Sequence, residues 1–418
     1  MTDPKGEALA INGGPQEALD LDVPEWPPVT EASEQYVVEC LQSGDWCSLG
    51  EDATWVSDFE RSFADYHDAK HAVAVANGTV ALQLALRVCG VRPGDEVIVP
   101  SYTFIATASA VASIGAIPRL VDVDPQTYNI DAESVRDHIT EDTVGVVGVH
   151  FAGYPIDFDE ILPIVDENDM FLIEDCAHAH GTEWKGHKIG TIGDMGAFSL
   201  QESKALSSGE GGIVLTDDHA LAERAELIQN IGRRQDSHDY HHHLLSSNYR
   251  LSEQQGALLM AQLEDFPEQV NRKERHDRIL REELRDVSGI ELKPDDERIT
   301  SRGHYYFNFS YNSEEFGGLP REKFLELLNA EGVPANSSYG PPLHKQPAFE
   351  QHKVSALLPR GAEPPLYQHQ HLPGAEEVSE RIVAIPHQVL LADEVGVRSI
   401  ASSIKKIQMV AQSGEVFS

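Results

Sequence analysis

Between Asp58 and Leu200 the chain alternates helix-type and strand-type segments, and this alternation constrains the fold more than any other feature. The helical DFERSFADYH leads to the apolar run AVAVA at 72–76, then a turn NGT, the helical ALQLALRVCG, a PGD turn and the strand EVIVP at 96–100. PRLVDVD, TVGVVGVH (143–150), the helical DFDEILPIVDEN, MFLIED (170–175) and GAFSL (196–200) continue the rhythm, with Gly or Pro where each element must end. Strands this apolar are buried on both faces, which a mainly parallel sheet sandwiched between helices requires.

After about Phe266 the pattern changes to a long charged helix, NRKERHDRILREELRDV, a β-type YYFNFSY and a helix REKFLELLNAEG. We therefore expect an α/β chain with an N-terminal arm (1–27), a large mostly parallel mixed-sheet domain (28–268) and a smaller C-terminal α+β domain (269–418). The Pro-, His- and Gln-rich stretch 338–373 carries little periodicity and reads as loop, either facing a ligand or lying on the surface.

Composition narrows the function. The 69 acidic and 32 basic residues give a formal net charge of -37, which repels nucleic acid and anionic lipid. The carboxylates are spread along the chain, and only twelve of the basic residues are lysine, as expected for a surface adapted to high salt. At about 1 M salt the Debye length is roughly 3 Å, so such self-repulsion is tolerable. An ordinary acidic protein is the simpler alternative. No apolar run reaches the roughly 18 residues of a membrane span, and MTDPKGEALA lacks the apolar stretch of a signal peptide. Cys40, Cys47, Cys89 and Cys176 form no CxxC pair, which argues against a disulfide framework and a structural zinc site. A cytoplasmic location follows as the expectation.

In a parallel sheet, ligands gather beyond the carboxyl ends of the strands. Three such places carry chemistry here. Gly78 and Thr79 open the helix after AVAVA, where free N–H groups and a hydroxyl suit an anion, although Gly-Thr is also an ordinary turn and cap. Asp175 ends MFLIED; an acid there can hold a heterocyclic nitrogen protonated, and His178 can donate to a phenolic oxygen on the same ring. The plainer alternative is a salt-bridged Asp with a satisfied His. Ser199 lies at the end of GAFSL and Lys204 follows it, and a lysine among small residues can form a Schiff base with an aldehyde, whereas most lone lysines are solvated cations. Together, anion turn, strand-end acid and lysine are the parts needed to hold pyridoxal 5'-phosphate.

FERSFADYHDAKHAVAVANGTVALQLAL, GDEVIVPSYTFIATASAV, LIEDCAHAHGT, GAFSLQESKALSSGEGG and NYRLSE closely resemble the DegT/DnrJ/StrS family of sugar aminotransferases, which are fold type I pyridoxal phosphate enzymes. The resemblance spans roughly residues 50–265 and continues more weakly through GVPANSSYGPPLHKQPAF. It implies that Lys204 forms the Schiff base and shuttles the proton, that Asp175 pairs with the pyridinium nitrogen, and that His178 sits near the ring hydroxyl. It further implies that Ser199, Gly78 and Thr79 hold the phosphate and that Phe104 stacks on the ring. Asn248 would reach the phosphate from a neighbouring subunit, making a homodimer with shared active sites. Family members that act as dehydratases carry histidine where Lys204 stands, so lysine favours transamination, from an amino acid such as glutamate or glutamine to a keto sugar or keto cyclitol. ALAINGGP, the following WPP and YGPPLHKQPAF look like the branch acting on cyclitols and on aromatic or sugar precursors of natural products.

Arg233, Tyr339 and His344 are candidate substrate contacts, though loop residues of these types are commonly just exposed. The histidines of HDYHHHLL (238–245) lack a fixed ligand spacing and read as a solvated or interface loop, not a metal site. Two other classes compete with an aminotransferase: a lyase or desulfurase on the same cofactor, and a non-catalytic sensor. The second is disfavoured because Lys204, Asp175 and Ser199 are all present.

Overall fold

A computed structural model describes residues 8–50, 52–234 and 240–414. Met1–Glu7 of the expected arm and His238 of the histidine patch lie outside the described residues. Helices α1 (Glu31–Ser43) and α2 (Trp55–Tyr66) precede the main sheet. Thr30 and Ser33 cap α1 reciprocally, and α2 turns Val56, Phe59 and Phe63 inward. Strand β1 (His71–Val75), α3 (Gly78–Val88), β2 (Glu96–Pro100), α4 (Ala106–Ser113), β3 (Ile117–Val121), α5 (Ala132–His138), β4 (Thr143–Val149), α6 (Phe158–Glu167) and β5 (Phe171–Asp175) follow the expected alternation. Beyond a short hairpin of β6 (Glu183–Trp184) and β7 (His187–Lys188) come β8 (Met195–Ser199), β9 (Gly212–Thr216) and α7 (His219–Gln229).

The seven-stranded sheet has the order β1-β9-β8-β5-β4-β2-β3. All neighbouring pairs from β8 to β3 are parallel, whereas β9 runs antiparallel to both β8 and β1. Six strands therefore point one way, and their carboxyl ends share one edge. In this region the expected helices and strands did not include α4, α5, the β6–β7 hairpin, β9 or α7; the small residues of ATASAVAS and the short GIVLT run carry weak periodic signals.

Helix α8 (Glu253–Leu284) is one 32-residue helix. The charge pattern places its start near residue 271, but α8 begins earlier, because Gly256, Ala257 and Leu259 bury its first turns against α2 and Pro267 sits inside it. Residue 268, the expected end of the large domain, lies within this helix. The C-terminal part contains strands β10 (Ile290–Leu292), β11 (Ile299–Ser301), β12 (Tyr306–Tyr311) and β13 (Ile382–Pro386), with helices α9 (Arg321–Ala330), α10 (Gln351–Ser355), α11 (Pro373–Arg381) and α12 (Glu394–Ser413). β12 is central in an antiparallel β10-β12-β13 sheet, while β11 joins β6 and β7.

Two apolar clusters involve the main sheet, and a third fills the C-terminal part, where it takes in Leu9 and Ala18 of the arm. The stretch 338–373 forms short 3-10 turns and α10. Leu343, Phe349, Tyr367 and Leu372 sink into the main-sheet core, and Tyr367 Oη donates to Pro118 O at 2.8 Å. Apolar anchors at irregular intervals leave no period to read.

Candidate active site

The shared carboxyl edge of the sheet opens into a cavity of about 710 Å³. It is lined by Gly78 and Thr79 from the start of α3, Phe104, Thr103 and Thr107 near α4, Asp175 and His178 after β5, Ser199 and Lys204 after β8, and Tyr305 and Tyr339 from the C-terminal part. Seven residues singled out for the cofactor and Tyr339 thus meet in one space.

The start of α3 reaches this edge through close backbone approach. A Cβ on Gly78 would lie 2.6 Å from Ser199 Cβ, and one on Gly212 would lie 2.4 Å from Asn77 O. Asn77 caps the helix by accepting from Val80 N at 3.0 Å. The earlier N–H groups, at Gly78 and Thr79, have no acceptor within the helix and lie beside the Ser199 hydroxyl at the cavity wall, an arrangement suited to an anion.

Asp175 is buried at the end of β5, where its Oδ2 accepts from Thr107 Oγ1 at 2.8 Å and its Oδ1 from Ala177 N at 3.2 Å. Burial raises its pKa, and the two hydrogen bonds and the nearby Lys204 oppose that rise. Lys204 lies on an irregular turn beyond β8. Burial pushes its amine below the usual lysine range, while Tyr305 and Asp175 favour the charged form. The cavity therefore pairs a fixed carboxylate with an amine that is more readily neutral than a surface lysine.

His178 is held neutral by burial. Its Nδ1 accepts from Ala152 N at 3.4 Å, so Nε2 carries the proton and donates to Tyr339 Oη at 2.9 Å. The Ala152 N–H is delivered by a turn with φ of 56°, and the adjoining Gly153 packs on Gly303, where a Cβ would come within 2.2 Å of the carbonyl oxygen. Phe104, 52% exposed, stands at the mouth with its ring 5.8 Å from that of Tyr339.

Three other candidates do not line the cavity. Asn248 is exposed, bridged through its backbone to Asn230. Arg233 lies over Tyr240 at 5.4 Å. His344 is buried between Ser101 Oγ (2.7 Å from Nδ1) and Glu376 Oε1 (3.1 Å from Nε2), where it ties the turn at 343–345 to the end of β2. Thr107 and Tyr305 were missed from sequence. Thr107 lies in the second half of the PSYTFIAT segment, in the first turn of α4, and Tyr305 opens the strand-type run YYFNFSY; neither carries a local signal of its partner.

Among the described residues, His150, Glu174 and Cys176 bring possible metal-ligand atoms within 4.8 Å of one another. Glu174 is engaged there by His150 Nε2 and by the N–H groups of Gly190, Ile192 and Gly193, which shape the loop before β8. His241, His242 and His243 are exposed.

The sheet order and the shared edge define a fold type I transferase, as in the crystal structure of 3-amino-5-hydroxybenzoic acid synthase, which aligns with a TM-score of 0.82 at 33% identity over 92% of this chain and 98% of that one. The L-glutamine:2-deoxy-scyllo-inosose aminotransferase of Micromonospora echinospora is 35% identical over 418 residues, covering 96% of this chain and 97% of the relative. The 3-amino-5-hydroxybenzoate synthase of Amycolatopsis mediterranei is 34% identical over 393 residues, covering 92% and 96%. Residues 27–405 match the DegT/DnrJ/EryC1/StrS aminotransferase family, and the chain belongs to it.

Proposed function

We propose that this aminotransferase uses pyridoxal phosphate to move an amino group from L-glutamine, or glutamate, to a keto cyclitol. The observation that carries the proposal is the meeting of buried Asp175 and half-buried Lys204 in one cavity that Gly78 and Ser199 also line. The donor set fits the cofactor. Ser199 and the N–H groups of Gly78 and Thr79 would hold the phosphate, Asp175 the ring nitrogen, Phe104 the ring face, His178 the ring hydroxyl, and Lys204 the aldehyde carbon. When bound, pyridoxal phosphate supplies an electron sink that lowers the barrier to removing a proton from the amine-bearing carbon.

The chain supplies the remaining work. Asp175 keeps a fixed negative charge where a positive N–H must be stabilised, with Thr107 and Ala177 holding its orientation. Lys204 would take the proton from the amine-bearing carbon and hold it at Nζ for delivery to the cofactor carbon, which requires an amine that can be neutral at working pH. Tyr305, Tyr339 and Phe104 screen that transfer from water.

The cyclitol acceptor and glutamine donor are inferred from the names of the relatives. We further place the enzyme in the cytoplasm as a homodimer. The four cysteines are free, and no helix among the described residues is long and apolar enough to cross a membrane. Exposure of Asn248 and of nearby Leu245, which is 98% exposed, supports a partner contact there. The division into arm, large and small domains belongs to this proposal, with α8 as the connecting element.

Purified protein should show an absorption band near the visible edge that Lys204→Ala abolishes. L-glutamine should bleach the band, and a keto cyclitol from a panel that includes nucleotide-linked keto sugars should restore it. Restoration by the nucleotide-linked sugars alone would overturn the cyclitol assignment. Mixed Lys204→Ala and Asn248→Ala subunits should regain up to about a quarter of wild-type activity if the sites are shared.

A further inference from the structure

Family motifs account for the amine at position 204 but not for what holds it in place. The group facing it is Tyr305, with Lys204 Nζ 4.3 Å from the ring centroid. That ring has little freedom to move. One face stacks on His178 at 4.0 Å and 19°, and the hydroxyl donates to Ser203 Oγ at 2.8 Å, which in turn donates to Gln201 Oε1 at 2.7 Å. His387 lies nearly parallel to Tyr305, 6.0 Å away, and its Nε2 donates to Ser203 O at 3.2 Å. Trp26 of the arm packs edge-on against His387 at 4.7 Å and gives its indole N–H to Lys204 O at 3.1 Å. One column of rings thus secures both the backbone of Lys204 and the surface its amine faces.

The charged and titratable groups around the amine come from several elements: Asp175 at the end of β5, His178 and His180 in the turn after it, Glu210 before β9, His387 after β13, and the hydroxyls of Tyr305 and Tyr339. Burial keeps the three histidines neutral. Tyr305, through its hydroxyl, and Asp175 favour the charged amine, and the electron-rich ring face 4.3 Å from Nζ adds a contact that also suits an ammonium.

We propose that Tyr305 is the positioning residue of Lys204, its ring face holding the ammonium that forms once the free amine has taken the substrate proton, so that it stays in the cavity until that proton is delivered. The proposal rests on Lys204 being the proton-transferring amine. It assigns a role to the ring beyond that of the hydroxyl.

The test is the pH dependence of acetylation at Lys204 by acetic anhydride, measured by mass spectrometry on the full-length protein stripped of cofactor, where turnover plays no part. Tyr305→Phe, which removes only the hydroxyl, should lower the midpoint by less than Tyr305→Leu does. Tyr305→Leu should lower it by about one pH unit, making acetylation about ten-fold faster below both midpoints. An unchanged midpoint in Tyr305→Leu would overturn the proposal, and so would an equal drop in Tyr305→Phe. Should the leucine variant not fold by circular dichroism, trifluorophenylalanine at 305 keeps the shape while removing the negative ring face, and an unchanged midpoint there is equally fatal. Loss of the absorption band in Lys204→Ala is a separate readout, so the functional reading and this inference can fail independently.

Discussion

Gly78 marks how little room the site has at its anion end. A methyl group there would press on Ser199 Cβ at 2.6 Å and on its Cα at 3.0 Å, so backbone, not a flexible side-chain tip, would have to yield. Overpacking of this kind costs about 1–3 kcal/mol. We therefore expect Gly78→Ala to weaken pyridoxal phosphate binding about ten-fold or more in a fluorescence titration. Affinity equal to wild type would show that the α3 start does not hold the phosphate. Much of this site was legible at the level of single residues, since Gly78, Asp175, Ser199 and Lys204 each lie at or just beyond the end of a strand and such positions converge in a parallel sheet. Thr107 and Tyr305 were not, because their contribution is to touch Asp175 and Lys204 from elements far away in the chain.

Helix α8 and the arm carry their own tests. Lys273 of α8 is fully buried, with one long hydrogen bond to His304 O at 3.4 Å, and desolvation lowers its pKa to about 7. Between about pH 7 and the unfolded lysine value the unfolded chain binds more protons, so stability climbs as pH rises through that window and the burden is largest at or below pH 7. Lys273→Met should raise the denaturation free energy by about 1–4 kcal/mol at pH 7, with a smaller gain near pH 10. A gain independent of pH would mean that packing, not charge, is responsible. The arm is tied down differently. Glu331, fully buried, accepts from Ala10 N at 2.8 Å, Glu17 N at 3.0 Å and Lys406 Nζ at 2.9 Å, and Lys406 also donates to Pro15 O. Lys406→Met should cost about 3–5 kcal/mol by leaving a buried carboxylate without its cation, and adding Glu331→Gln should recover part of that loss. Denaturant titration of both variants decides the point.

The whole molecule carries a formal charge of -37, and its ion pairs are largely at the surface, where each contributes little. Self-repulsion should therefore dominate its response to salt. The thermal midpoint should rise by at least a few degrees between about 0.05 M and 2 M KCl. A flat or falling midpoint would remove the case for adaptation to high salt. At this scale the chain's local patterns settled the alternation of elements, the parallel core of the sheet and the strand-end chemistry, because apolar periodicity and turn residues act over a few neighbours. The reversal of β9, the unbroken run of α8 past Pro267, the docking of residues 343–372 on the sheet and the aromatic column from Trp26 to Tyr339 were decided by tertiary structure alone. Each depends on burial against residues distant in the chain, and no local period or propensity encodes which surface a segment will find.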